Sequence, residues 1–203
     1  MSRRSPVPTS LDEEAFAERS RLVEMIEKLS ESEWDHHSLC AGWRVREVVA
    51  HMSMPFRTSA LSMVAGIVRA RFSFDEYADS AARRDAATYD SAQLLDFLKK
   101  NITTVWHPPG GGDDGALSHD VIHGLDITEP LGLPAPSAER IGLVLRHGGP
   151  RALKHFGSSL DRTLVATDTD ASIGTGRRLE IPAKDILLVI TGRRTLGQVV
   201  LDD

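Results

Sequence analysis

Helical spacing of apolar residues along most of the first 156 positions is the feature that most restricts the fold of this chain. The clearest case is the run that starts after Arg44, where Val45, Val48, Val49 and Met52 follow the pattern i, i+3, i+4, i+7. That spacing places the four side chains on one face of a helix, which must be buried against other helices. Helical patterns occupy residues 10–30, 44–68, 91–105, 116–129 and 137–156, so the sequence predicts an N-terminal helical bundle.

Local signals predict where several of these helices begin and end. Ser10 with Glu13 is typical of a capping box, and Ser91 is a candidate N-cap. Pro55 is expected to kink or end the second segment, and the run HPPGGGDDG must end the third. The segment 75–90, rich in alanine and charge, is compatible with a helix or a mobile loop.

Beyond Gly157 the composition changes. RTLVATDTD, RRLEIP and GQVVLDD have strand-like composition, and AKDILLVITGRR predicts a short helix that ends at Gly192. We therefore predict a mainly α protein, with a helical bundle over residues 1–156 followed by a small C-terminal α/β region over 157–203.

Charge and composition exclude several classes of function. The formal net charge of −5 gives no reason to expect nucleic acid or an anionic membrane as a partner. No stretch is long and apolar enough to span a bilayer, and the opening MSRRSPVP is not followed by the apolar core of a signal peptide. A single cysteine, Cys40, cannot form an intrachain disulfide, so a cytoplasmic location is expected.

Eight histidines are more than a chain of 203 residues usually contains, and two of them lie four positions apart in the stretch HDVIHGLD. His119 and His123 are on neighbouring turns of one predicted helix, where two imidazoles can reach one ion. Asp126 shares their face. The stretch nearly matches the zinc-protease signature H-E-x-x-H, but Asp120 replaces the glutamate and is expected to point away from the ligand face.

His51 strengthens the metal interpretation. It lies beside the apolar stripe of the second helix and is therefore expected at the interior or the margin of the bundle. A hydrogen-bonded core histidine is the simpler explanation for one such residue. Together with His119 and His123, however, it can form a three-ligand site with open positions, as a catalytic divalent metal requires.

Three parts of the sequence resemble the mycothiol-dependent maleylpyruvate isomerase family. LSESEWDHHSLCAGWRVREVVAHM is similar to its opening signature, and DVIHGLDITEPLG resembles its second one. LVATDTDASIGTG and IPAKDILLVITGR are similar to its C-terminal segment. The resemblance implies a DinB-like four-helix bundle with a small C-terminal α/β extension, and a divalent metal, usually zinc, bound by His51, His119 and His123. The isomerase has a glutamate at the position of His119, whereas the wider superfamily commonly uses three histidines.

The resemblance also implies a function. We expect a metal-dependent thiol transferase or isomerase in which the metal activates mycothiol for attack on a small electrophilic substrate, with Asp126 orienting one imidazole. Two alternatives stay open, namely a metal-dependent hydrolase that activates water and a non-enzymatic metal-binding bundle. Because bundles of this kind often pair through helix faces, the chain is also a candidate for homodimer formation.

Overall fold

A computed structural model describes residues 9–108, 110–157 and 160–201. Its helices are α1 (Ser10–Ile26), α2 (Glu31–Trp34), α3 (Val45–Ser53), α4 (Ala60–Arg69), α5 (Phe74–Thr88), α6 (Ser91–Lys99), α7 (Gly115–Thr128), α8 (Ala138–His155), α9 (Ala183–Ile190) and α10 (Leu196–Leu201). Its strands are β1 (Arg162–Ala166), β2 (Ser172–Gly174) and β3 (Arg177–Ile181). The predicted fold class, mainly α with a small C-terminal α/β region, is confirmed. Within the described ranges, no helix has the length and apolar character needed to cross a membrane.

The chain divides into two compact units. One contains the described residues up to Ala15, those of His107–Leu125 and those from Pro134 onward. The other contains Phe16–Trp106 and Asp126–Leu133. The division that the sequence suggested after residue 156 stays a prediction.

In the second of these units, α3 packs against α5 and α6. The apolar face predicted for α3 is fully buried, because Val45, Val48 and Val49 have no exposed surface. Helix α3 ends at Ser53 and a 3-10 turn over Met54–Phe56 follows, which agrees with the effect expected of Pro55.

The ambiguous alanine-rich segment is helix α5. Its buried side includes Ala78, Ala81, Ala82 and Ala86. Because these side chains are small, the backbone of α5 can approach α3 closely, and the burial does not depend on the large apolar residues that a sequence pattern reveals most clearly.

Helix α6 ends at Lys99, earlier than the pattern predicted. The carbonyl groups that follow accept hydrogen bonds from the buried guanidinium of Arg19. The Nη1 atom of Arg19 donates hydrogen bonds to the carbonyl oxygens of Asn101, Ile102 and Thr104, at 2.7, 2.8 and 3.3 Å. Arg19 lies on α1 and has no exposed surface. These carbonyls accept from the guanidinium, so the chain turns away from the helical path.

Two predicted caps are displaced by one residue. Thr9 and Asp12, and not Ser10 and Glu13, form the reciprocal bonds at the start of α1, with Thr9 N donating to Asp12 Oδ2 at 2.8 Å and Asp12 N donating to Thr9 Oγ1 at 3.2 Å. Asp90 caps α6 in a capping box with Gln93, so Ser91 is the first helical residue.

In the other unit, α8 packs against α9, and α9 packs against β1. The sheet has the order β2-β1-β3, with β2 antiparallel and β3 parallel to β1. Gly174 is the last residue of β2 and has a φ of 96°. A Cβ atom at this position would lie 2.4 Å from the carbonyl oxygen of Arg162, so the strand pairing requires a glycine here. The predicted strand at GQVVLDD is wrong, since residues 196–201 form helix α10 and the last two residues lie outside the described ranges.

Candidate metal centre

Helix α7 presents two of the predicted ligands. The rings of His119 and His123 are in an edge-to-face arrangement, with 4.7 Å between their centroids and an interplanar angle of 72°. This is the consequence of their four-residue spacing, which places them one above the other on successive turns.

Asp120 contacts the first of these imidazoles, although the sequence interpretation gave it no role. Its Oδ1 atom lies 3.1 Å from His119 Nδ1, and the residue is only 1% exposed. An imidazole that donates its Nδ1–H to this carboxylate keeps the lone pair of Nε2 free to bind a metal. The only sequence signal for this contact is the adjacency of the two residues.

The imidazole ring of His51, on α3, is in contact with an aromatic side chain. His51 is 7% exposed, and its ring lies 5.2 Å from the Trp43 ring, centroid to centroid, at an interplanar angle of 51°. Trp43 is in turn fixed by a hydrogen bond from its Nε1–H to Asp79 Oδ1, at 2.7 Å. The hydrogen bond from Arg83 and the one from Trp43 hold the pKa of the Asp79 carboxyl below its usual range, in spite of partial desolvation.

The three predicted ligands form one group of side chains that could hold a metal ion. His51, His119 and His123 each offer one ring nitrogen, and these atoms lie within 4.8 Å of one another. The donor set fits a first-row divalent metal, because imidazole suits zinc, copper, iron and nickel, whereas magnesium and calcium prefer oxygen ligands. The group could therefore hold such an ion.

Asp126, predicted to orient an imidazole, is completely buried one turn after His123. Its backbone carbonyl accepts a hydrogen bond from the amide of Leu39, at 3.0 Å. The orienting role of its carboxylate stays a prediction.

The other histidines differ from this group in their exposure. All five are exposed to solvent: His36, His37, His107, His147 and His155. Among the described residues, none of these five belongs to a group of three side chains that could hold a metal ion, so they serve as controls for metal binding.

Comparison with known proteins gives one match. Residues 15–106 match the family model described as the mycothiol maleylpyruvate isomerase N-terminal domain. This segment contains His51, whereas His119 and His123 lie beyond it. No curated protein and no solved structure matches the chain.

Proposed function

We propose that the chain is a divalent-metal-dependent thiol transferase or isomerase with mycothiol as cosubstrate, because residues 15–106 match the family model described as the mycothiol maleylpyruvate isomerase N-terminal domain. The observation that supports this best is the convergence of three imidazole nitrogens, from His51, His119 and His123, within 4.8 Å. Zinc is the metal we expect.

The charge of the donor set favours an anionic ligand. Three neutral imidazoles leave a bound divalent ion with its full +2 charge, whereas a glutamate at the position of His119 would reduce it by one. When bound, the ion supplies the positive charge that stabilises a thiolate, and so lowers the pKa of a thiol from its ordinary value of about 8.5.

The residues of the chain prepare the site for this chemistry. A His119 imidazole that is protonated on Nδ1 donates a hydrogen bond to Asp120 and keeps the lone pair of Nε2 available for a metal. The Trp43 ring contacts the His51 ring, with 5.2 Å between the two centroids. Asp79 keeps the indole in place through its hydrogen bond.

The reaction that we propose begins with addition of the thiol sulfur to an electrophilic carbon of a small substrate. The S–H proton passes to solvent, a C–S bond forms, and the π bond of a substrate C=C opens, with its electron pair moving to the neighbouring carbon. If the molecule rotates about the former double bond and the C–S bond then breaks, the thiolate leaves and the C=C re-forms as the other isomer. If the neighbouring carbon instead takes a proton from solvent, the product is an S-conjugate.

Titration of mycothiol into the zinc-loaded protein tests this function. By calorimetry we expect saturable binding below millimolar thiol, and no binding of S-methylated mycothiol, which cannot form a thiolate. His51→Ala should lose the binding. Absence of binding at millimolar mycothiol, in protein with stoichiometric zinc, would contradict the thiol chemistry and favour a hydrolase that activates water.

The Asp120 contact leads to a separate prediction. Asp120→Ala should weaken zinc binding by roughly 10- to 100-fold, because loss of an orienting carboxylate has effects of this size at other metal sites. The measurement is competition with a chromophoric chelator. Asp113→Ala, which removes an exposed carboxylate just before α7, is the matched control and should bind zinc like the unmodified chain. Equal affinities for the two variants would show that Asp120 does not orient His119.

A further inference from the structure

Helix α4 and the turn after it expose an apolar surface that the proposed metal site does not use. Of the six large apolar side chains that are exposed in the described part of the chain, five lie between Leu61 and Phe74. We call four of them the outward stripe, and their exposed fractions are 80% for Leu61, 55% for Val64, 52% for Val68 and 79% for Phe72. Their spacing of three, four and four residues places the three on α4 along one side of the helix.

The opposite side of α4 is already packed. Met63, Ile67 and Ala70 contact a small core formed by Met54, Tyr77 and Ala81. At Gly66 the helix lies so close to the Tyr77 ring that a Cβ atom would be 2.2 Å from Tyr77 Cε2. This packing fixes the rotation of α4 about its axis, so the outward stripe cannot turn toward the core.

The turn after α4 contains Phe72, the last residue of the stripe, and its backbone is strained. Arg71 and Phe72 have φ angles of 53° and 67°, in the left-handed region that residues with side chains rarely adopt. Amide hydrogen bonds from Phe72 to the Ile67 carbonyl, at 2.9 Å, and from Ser73 to the Ala70 carbonyl, at 3.0 Å, hold the turn in this shape. Backbone strain of this kind costs about 1–3 kcal/mol per residue and persists only where the surrounding structure holds it.

A helix that is apolar on both sides is normally buried on both sides. We propose that a second copy of this chain covers the outward stripe, with the α4 helices of the two copies packed against each other about a two-fold axis. The apolar surface of the stripe and Phe74 amounts to roughly 500 Å² per chain, which is more than half of the roughly 800 Å² per partner of a stable complex.

The charges around the stripe favour a second copy over a lipid surface. Arg69 and Arg71 lie at its C-terminal end, and Asp75 and Glu76 follow in the first turn of α5. Both signs occur next to the stripe in the sequence, so two copies related by a two-fold axis can pair Arg with acid in both directions. An anionic membrane would instead require a cluster of basic residues without neighbouring acids.

A groove beside the stripe offers a place for an apolar side chain of the second copy. It has a volume of about 610 Å³, and Leu61, Ala65, Arg69 and Arg84 are among its lining residues. An aromatic side chain such as Phe72 of the second copy is of a size to enter it, with its neighbouring acidic residues near the two arginines.

Sedimentation velocity on the full chain, over a range of concentrations, tests the proposal. We expect the unmodified chain to be a dimer at tens of micromolar, and the double variant Val64→Asp with Val68→Asp to have a dissociation constant at least about 100-fold higher. Phe156→Asp is the matched control, since Phe156 is the exposed large apolar residue outside this surface, and it should stay dimeric. Circular dichroism should show the same helix content in all three proteins.

A second pair of measurements separates the remaining explanations. Val68→Cys in a Cys40→Ser background should form a disulfide-linked dimer under mild oxidation, as expected for a residue near a two-fold axis. A monomeric unmodified chain at 200 µM would overturn the proposal. An unchanged dissociation constant in the double aspartate variant would also overturn it. So would a monomeric chain that floats with anionic vesicles, if the double variant no longer floats with them.

Discussion

Replacing His51 by alanine should lower the affinity of the protein for Zn²⁺ by at least about 100-fold. The substitution removes one of the three proposed ligands, and removal of even an indirect, orienting partner has effects of 10- to 100-fold at other sites. The two imidazoles left on α7 would bind the ion only with the low affinity of a two-histidine pair on a protein surface. Competition with a chromophoric chelator measures the change directly.

Two controls separate loss of a ligand from loss of structure. His147→Ala removes an exposed imidazole and should leave the zinc affinity unchanged. His51 is buried, so His119→Ala provides a second test at a less buried ligand, and it should weaken binding by a similar factor. If His51→Ala binds zinc as tightly as the unmodified chain, His51 is not a ligand.

The largest effect on stability is expected at Arg19. Arg19→Met keeps the aliphatic stem but removes the donors that satisfy the carbonyls of Asn101, Ile102 and Thr104. It also removes the guanidinium that lies 5.0 Å from the centroid of the Phe56 ring. The Asn101 carbonyl keeps the hydrogen bond from the Thr104 amide, and Thr104 is exposed. Hydrogen bonds to charged groups contribute about 1.5–3 kcal/mol, so we expect the free energy of unfolding to fall by about 2 kcal/mol.

Chemical denaturation at neutral pH measures this effect. Lys100→Ala is the matched control, because Lys100 pairs with Asp96 on the surface one turn away and its side chain is 71% exposed. Such surface pairs contribute at most about 0.5 kcal/mol. A loss at Arg19 no larger than the loss at Lys100 would show that the three carbonyls find other partners.

The helices with large apolar stripes could be predicted from the sequence, and those without could not. The valines of α3 lie on one face of the helix, so their burial could be predicted directly from their spacing. Helix α5 is buried through alanines, which are equally common on exposed faces. GQVVLDD has β-branched residues at its centre, but a segment this short takes its conformation from tertiary contacts, and here it forms α10.

Helix ends were predicted to within one residue where local side chains decide them. Thr9 and Asp90 cap α1 and α6, each one residue before the predicted cap. The end of α6 at Lys99 depends on Arg19, which is about eighty positions earlier in the chain, and no local pattern contains that information.

The candidate site was predictable to the extent that its ligands follow helical spacing. His119 and His123 are paired by their separation in the sequence, and with His51 they form a group that could hold a metal ion. Asp120 was missed, because spacing around a helix places successive residues about 100° apart and takes no account of side chains that bend toward a neighbour.

The central claim is that these three histidines bind one metal ion, and anomalous diffraction from zinc-soaked crystals tests it most directly. Data collected on both sides of the zinc absorption edge should show one strong peak, about 2.0–2.1 Å from a ring nitrogen of His51, His119 and His123. Peaks only at exposed histidines such as His36 or His147, with none at these three residues, would contradict the claim.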